Sequence, residues 1–364
     1  MTDEALVVRF DSMGDMLMTG PAVRAVAHGP RTVTMLCGPR GEEAARLLPG
    51  VERVIVWDCP WIANPAPAAT TTSVAELLVL LKDPPAEAVI LTSFHQSPLP
   101  TALLLRMAGV RHITAISEDY PGSLLDIRLR PGTDVEDLLP EPERGLAVAR
   151  AAGFELGADD DGSLAVLLPE PWVPPSQLAA LWQSEATPPY VVVHPGADAP
   201  ARTWPAGHYA ECVRLLVAEG MDVLVTGGPG DIALCARIAG KGAHNLAGRT
   251  DVAGLGQLIS GAALMITGNT GPAHLAAAVH TPVVCLFAPV TAAANWAPYG
   301  IPLELLGDQD APCAMTRARE CPVPGHPCLS SITPERVVEA VHRLASRTGA
   351  AFGSRGIPRS GAGR

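Results

Sequence analysis

The sequence predicts an α/β protein built from two doubly wound domains, each a parallel sheet with crossover helices. Three observations carry that expectation. Short β-branched runs alternate with helix-forming stretches along the chain, the order that parallel strands and their crossovers require. The chain holds 364 residues, more than one core fills comfortably when domains run to about 100–200 residues. A proline-rich interruption, LLPEPWVPPSQ at 167–177, separates the runs into two sets and breaks any regular element there.

In chain order, ALVVRF (5–10), TVTML (32–36), RVIVW (53–57), EAVILTS (87–93) and HITAIS (112–117) read as the strands of the first set. The second set is YVVVHP (190–195), DVLVTGG (222–228), ALMITG (263–268) and PVVCLF (282–287). The boundary falls within 170–188. Near the end, TPERVVEAVHRLAS reads as a helix with Thr333 as N-cap and Pro334 as first residue, although Arg336 stands where a capping box takes Glu or Gln. The last stretch, rich in Gly, Ser and Ala, reads as a disordered tail over 347–364.

Composition narrows the function classes. With 48% hydrophobic and 17% charged residues, the chain is a folded protein with a sizeable core. No apolar run reaches the roughly 18 residues of a membrane helix, and MTDEALVV lacks the pattern of a signal peptide; a cytoplasmic protein without an integral membrane segment is expected. A net charge of -11 opposes binding to phosphate backbones, so nucleic acid is not an expected partner. Cys37, Cys59, Cys212, Cys235 and Cys285 lie in or beside apolar runs, as buried thiols do. Cys313, Cys321 and Cys328 share a loop-like segment with His326, but the spacing lacks the close pairs of zinc sites, and no metal is expected.

Ligands of open α/β sheets bind beyond the carboxyl ends of the strands, so the loops after the strands hold the candidates. ITGNTGPAHLAAAV (266–279) passes from a strand through Asn269, Thr270 and Gly271 into a helix whose free N–H groups suit a phosphate, with His274 on the same side. After YVVVHP come Gly196 and Arg202, the latter able to make two parallel bonds to a diphosphate. VLVTGGPGD offers Thr226, Gly227 and Gly228, where a ligand can approach the main chain. Asp15 follows the first strand in SMGD. The residues alone equally allow a capped helix with an incidental histidine, a solvated arginine, an ordinary turn and an N-cap aspartate. Neither G-x-x-x-x-G-K-[ST] nor G-x-G-x-x-G occurs, and ADDDGS (158–163) reads as a solvated turn.

Taken in order, SMGDMLMTGPAVRAV, HPGADAPARTWPAGHYAE, VTGGPGD, the block from LAGRTDVAGLGQ to TGNTGPAHLAAAVHTPVVCLFAP, and the Cys-rich stretch before ITPERVVEAV resemble the ADP-heptose:lipopolysaccharide heptosyltransferase family, glycosyltransferase family 9, over roughly residues 5–345. The resemblance implies a GT-B architecture, two Rossmann-like doubly wound domains facing a central cleft. Residues 1–175 would be the acceptor side and 176–346 the nucleotide-sugar side.

It implies an inverting, metal-independent and cofactor-free transfer of a heptose or related sugar from an ADP-sugar to a hydroxyl of a glycan, a lipid-linked saccharide or a small natural product. Asp15 would be the general base. Gly196, Arg202, Thr226, Gly227, Gly228, Asn269, Thr270, Gly271 and His274 would hold the donor, and Gly14, His95, Gln96 and Ser97 would face the acceptor. Two departures bear on donor choice: the family often has Lys at the position of Arg202 and Asp at that of Asn269. A nucleotide-sugar epimerase and a catalytically silent nucleotide-sugar-binding protein are the rival readings.

Overall fold

The computed structural model describes residues 4–93, 95–170 and 189–350. The first sheet contains β1 (Glu4–Arg9), β2 (Thr32–Cys37), β3 (Val51–Val56), β4 (Glu87–Ile90), β5 (His112–Ile116) and β6 (Ile127–Leu129) in the order β3-β2-β1-β4-β5-β6. The second contains β7 (Tyr190–His194), β8 (Asp222–Val225), β9 (His244–Asn245), β10 (Leu264–Gly268), β11 (Val283–Leu286) and β12 (Leu303–Leu306) in the order β12-β11-β10-β7-β8-β9. Every neighbouring pair is parallel. Numbered from its own first strand, each sheet has the doubly wound order 3-2-1-4-5-6.

All the central strands are announced by the sequence, since a strand paired on both edges and covered on both faces is largely apolar, and the edge strand β3 is announced too. Tyr190–His194 is buried at every position. The strands not anticipated, β6, β9 and β12, all lie at sheet edges. An edge strand has one neighbour and less burial, so β9 is a bare His-Asn pair and carries no apolar run to read.

The described helices are α1 (Met13–Met18), α2 (Gly20–Ala27), α3 (Glu42–Leu47), α4 (Thr71–Leu80), α5 (Leu99–Ala108), α6 (Glu141–Ala151), α7 (Ala206–Ala218), α8 (Ile232–Ala239), α9 (Val252–Ser260), α10 (Gly271–Ala278), α11 (Ala293–Trp296), α12 (Pro327–Ser330) and α13 (Pro334–Thr348). In α13 the Thr333 hydroxyl accepts from the Arg336 N–H, and Gly349 ends the helix at φ 72°, so the helix starts as expected without a Glu or Gln. It extends into the start of the expected tail; residues 351–364, and 171–177 of the proline-rich interruption, lie outside the described residues.

Two compact units result: Met1–Glu170 with Thr270–Val279 and Thr291–Gly300, and Pro171–Asn269 with His280–Val290 and Ile301–Arg364. Packing does not follow a single cut in the chain. Helix α10 leaves β10 and groups with the first unit, where it meets α1. Segment 291–300 also groups there, tied by Asn295 Nδ2, which donates to the Asp137 and Leu139 carbonyls at 3.0 and 2.7 Å, and by Tyr299 Oη, which donates to Glu143 at 2.9 Å.

Each unit has its own core. In the first, Leu6, Val8, Leu36, Leu77, Leu105 and Ile113 are fully enclosed. In the second, Trp204 is buried with its ring edge-on to Tyr209 at 4.8 Å and its indole N–H donating to the Ile332 carbonyl at 3.1 Å. That bond satisfies the one polar atom of the largest side chain in the core.

Candidate functional site

In each sheet the winding reverses beside the first strand, at β1/β4 and at β7/β10, and ligand sites of such sheets lie beyond the strand ends there. In the first unit, Arg9 is the last residue of β1 and is only 4% exposed. Its Nε lies 2.7 Å from Asp11 Oδ2, its Nη2 donates to Asp15 Oδ1 at 3.2 Å and Ser93 Oγ at 2.9 Å, and its Nη1 reaches Glu141 Oε2 at 3.4 Å. One guanidinium therefore serves three carboxylates.

Burial alone would lower the Arg9 pKa, but the charges of Asp11, Asp15 and Glu141 outweigh it and hold the group above its ordinary value. Burial pushes the carboxyls of Asp11 and Glu141 up, against the pull of Arg9. It also lowers Arg144, which Glu141 opposes from 3.9 Å.

Asp15 is not the N-cap of α1. Ser12, in extended backbone, takes that place, and Asp15 is the third helical residue. Its Oδ2 accepts from the Ser12 hydroxyl at 2.9 Å and the Ser12 N–H at 3.3 Å, satisfying a donor that the helix start leaves open. Ser12 and Arg9 thus grip opposite oxygens of a carboxylate that is still 18% exposed.

Gly14 and Gly271 let α1 and α10 approach backbone to backbone. A Cβ on Gly14 would lie 2.9 Å from His274 Cδ2 and 3.0 Å from Gly271 Cα. A Cβ on Gly271 would lie 2.5 Å from Met13 Cε. The structure so brings Gly14, Asp15, Thr270, Gly271 and His274 into one neighbourhood of the first unit. Thr270 stands as N-cap of α10 in extended backbone, and His274 is buried.

His95, Gln96 and Ser97 line a pocket of about 160 Å³ together with Glu118, Asp119 and Arg144. Gln96 has a second duty: its Oε1 accepts from the Ser93 N–H at 3.0 Å and its Nε2 donates to Asp11 Oδ1 at 2.6 Å. His95 and Ser97 are exposed. The ADDDGS turn is anchored by Asp160, which takes Arg24 in a bidentate pair at 2.6 and 2.8 Å.

In the second unit, Gly196 follows β7, Thr226–Gly228 follow β8 and Asn269 follows β10. The side-chain space of the glycines is already taken. A Cβ on Gly196 would lie 2.5 Å from Asp231 Oδ2, and one on Gly227 would lie 2.8 Å from both Asp231 Cβ and Cys235 Sγ. Asp231 also accepts the Gly228 N–H at 3.0 Å, so this aspartate braces the loop. Gly228 is the more open, since a Cβ there would come no nearer than 3.7 Å to Asp231 Oδ2. Asn269 Oδ1 accepts from the Ala288 N–H at 3.4 Å, and Arg202 ends a short 3-10 turn after β7, half-buried.

His194, at the end of β7, pairs through Nδ1 with Thr226 Oγ1 at 3.1 Å, and burial holds its pKa down to about 4 against a weaker pull from Asp231. Cys313 and Cys328 are buried in this unit while Cys321 is half-buried. Among the described residues no group of three or more His, Cys, Asp or Glu side chains is placed to hold a metal ion.

Sequence reasoning missed Arg9, Asp11, Ser93, Glu141, His194 and Asp231. One signal was available: ALVVRF sets an arginine at the end of an apolar run, and a buried arginine demands partners. The partners themselves, up to 132 residues away, carry no local mark.

A family model described as glycosyltransferase family 9 (heptosyltransferase) matches residues 96–326. Lipopolysaccharide heptosyltransferase 2 of Escherichia coli K12 is 30% identical over 207 residues, 52% of this chain and 57% of that protein. Lipooligosaccharide heptosyltransferase 2 of Haemophilus ducreyi is 30% identical over 160 residues, 41% and 46% of the two chains. The chain spans about half the length of the curated relatives it matches. The solved structure of E. coli ADP-heptose lipopolysaccharide heptosyltransferase II aligns with a TM-score of 0.69 at 22% identity, covering 95% of this chain and 100% of that one. The fold is thus the GT-B fold. With a family match running over more than half of its length, the chain belongs to glycosyltransferase family 9.

Proposed function

We propose that this protein is an inverting, metal-independent glycosyltransferase that moves a heptose, or a closely related sugar, from an ADP-sugar to an acceptor hydroxyl. The observation that carries the reading is the carboxylate of Asp15. It is gripped at Oδ1 by Arg9 and at Oδ2 by Ser12, yet partly exposed beyond the end of β1. A base needs that combination of fixed orientation and access.

In the proposed reaction Asp15 takes the proton of the acceptor hydroxyl as that oxygen bonds to the anomeric carbon. The bond from that carbon to the diphosphate breaks, ADP leaves with its electron pair, and the configuration inverts. The N-terminal N–H groups of α10, with Thr270 and Gly271, suit the growing charge on the diphosphate. His274 adds a donor beside that helix end, and in the second unit the guanidinium of Arg202 is the cation offered to the donor. The main chain at Gly196 and Thr226–Gly228 contacts the donor, with Gly228 its most open point. Asn269 offers an amide where the family often has a carboxylate, so the sugar is oriented there by hydrogen bonds without a negative charge.

The acceptor is of the saccharide class named for the relatives, a lipopolysaccharide or lipooligosaccharide core, met by His95, Ser97 and the pocket they line; Gly14 borders the base. Residues 1–175 form the acceptor side and 176–346 the donor side in this reading. Among the described residues no helix is long and apolar enough to cross a membrane, and the proposed place of action is the cytoplasm.

Incubation with ADP-heptose and with ADP-, GDP- and UDP-hexoses, with and without a heptose-deficient lipooligosaccharide, tests the reading by following nucleotide release and the anomeric configuration of the product. ADP release that depends on acceptor, with an inverted product, supports it. Donor isomerised without release would establish an epimerase instead, and saturable donor binding without turnover a silent binding protein.

A further inference from the structure

The pocket that His95 and Ser97 line also holds a cation that its surroundings leave poorly partnered. Arg144 is 4% exposed, and its enclosed Nε has no hydrogen-bond partner among the described residues. The nearest carboxylate is Glu141, 3.9 Å from that Nε and so beyond hydrogen-bond reach. Glu141 stands closer to Arg9, at 3.4 Å, and burial favours its neutral form. Arg144 is also the fourth residue of α6, at the helix end whose dipole favours negative charge. A guanidinium keeps its proton in such a place, and an enclosed charge is costly until it is paired and hydrogen-bonded. The pocket of about 160 Å³ is where that partner can enter.

We propose that this pocket is an oxyanion subsite, in which Arg144 receives a carboxylate or phosphate group of the acceptor and so selects for acceptors that carry one. Arginine binds either group through charge-assisted hydrogen bonds that are shorter and stronger than neutral ones. Size limits what enters: the pocket is smaller than the roughly 300 Å³ at which whole-ligand sites begin, so it takes an end group of a larger molecule. Glu118 and Asp119 also line it but are exposed, where water weakens their repulsion of an anion. Their oxygens, with the Ser97 hydroxyl, suit the hydroxyls of a sugar that carries the acid group. Gln96 lines the same pocket and donates to Asp11, the partner of Arg9, so the subsite adjoins the proposed base. That the acid group belongs to an acceptor rests on the transferase reading; that the pocket takes an oxyanion does not.

Binding is tested first, without donor or turnover. The Arg144 Nε–H and the Ser97 amide of the full chain are followed by 15N NMR during titration with inorganic phosphate, with glucuronate and, as the neutral match, with glucose. Saturable movement of both signals by phosphate, by glucuronate or by both is expected, with glucose inert, and the anion that acts names the group. Arg144→Gln, read at the Ser97 amide, is expected to bind that anion about 10- to 100-fold more weakly, the worth of hydrogen bonds to a charged group. Arg144→Lys keeps the charge without the planar fork and is expected to fall between the two. Where transfer is found, removing the acid group from the acceptor should lower kcat/KM by about 10-fold or more in the wild type and change it little in Arg144→Gln, the non-additivity of two groups in contact.

No movement with either anion, glucose moving the signals as far as glucuronate, or equal anion affinity in wild type and Arg144→Gln overturns the proposal. If Arg144→Gln does not fold, Arg144→Lys and the comparison of the two sugars in the wild type decide it. A preference for acidic acceptors that survives in Arg144→Gln would take the acceptor's acid group away from this pocket. Absence of any transfer by a wild type that binds the anion through Arg144 would sink the transferase reading and leave the oxyanion subsite standing.

Discussion

The ends of β1 and of β7 occupy equivalent places in two sheets of the same winding, and they are built from opposite materials. After β1 the chain gathers side-chain charge: Arg9, Asp11 and Asp15 within seven positions, joined by Glu141. After β7 and β8 it gathers backbone: Gly196, Gly227 and Gly228, with a neutral histidine behind them and a single aspartate filling the glycine faces. The contrast matches what the proposed reaction would ask of each end. Moving a proton takes an ionisable group whose charge is balanced locally, whereas holding a diphosphate takes directed N–H groups, and after β8 one of these, on Gly228, is already given to Asp231. Identical topology therefore does not imply identical use.

Substitutions can break this comparison at either end. The largest effect is expected from Asp15→Asn, which keeps the side chain's shape and removes the proposed base. Turnover should fall by about 100- to 10,000-fold with donor affinity within a factor of about two, read from steady-state kinetics beside calorimetric binding; an equal loss in both would assign Asp15 to the donor side.

Next comes the histidine behind the glycine loop. Because burial holds His194 near 4 rather than at 6.5, the unfolded chain binds a proton between those values that the folded chain refuses. The stability this involves is present above about pH 6.5 and is lost as pH falls toward 4, by about 1.4 kcal/mol per unit and about 3 kcal/mol in all. Urea unfolding of wild type and His194→Asn across pH 7 to 4 isolates it, since the other groups cancel in the difference. A difference that does not narrow with falling pH would mean that the imidazole is open to protons.

The smallest effects separate two adjacent glycines. Gly227→Ala meets Asp231 and Cys235 at 2.8 Å and should cost about 1–3 kcal/mol of stability with no ligand present, as overpacking does. Gly228→Ala meets its nearest neighbour only at 3.7 Å; its unfolding should stay within about 0.5 kcal/mol of wild type, with any deficit appearing in nucleotide-sugar affinity. Equal unfolding losses for both would remove the distinction between a glycine that packs and a glycine that receives a ligand.

The fold was legible to the extent that burial leaves a mark in composition. Central strands such as YVVVH announce themselves because both faces are covered, while the edge strands β6, β9 and β12 do not. The candidate site was legible in its loops, SMGD and TGNTGPAH, but not in its wiring. Asp15 looks alike as an N-cap or as a gripped carboxylate until Ser12 is seen to hold the cap position. Gln96 reads as a polar loop residue until its two bonds, to Ser93 and Asp11, are in view. The glycines of VTGGPGD suggest an approaching ligand; Asp231, four residues on from Gly227, takes much of that space.

What the sequence determined by itself is the alternation of strand and helix, the parallel winding and the loops from which function must come, because these depend on periodicity and on residues near one another in the chain. Tertiary structure alone decided that α10 groups with the first unit rather than with the strand that precedes it, and that Glu141 of α6 joins Arg9, Asp11 and Asp15. A backbone approach needs two glycines facing each other and an ion cluster needs charges brought together out of water. Neither requirement is expressed in local propensity, since both arise only once distant segments share the same low-dielectric space.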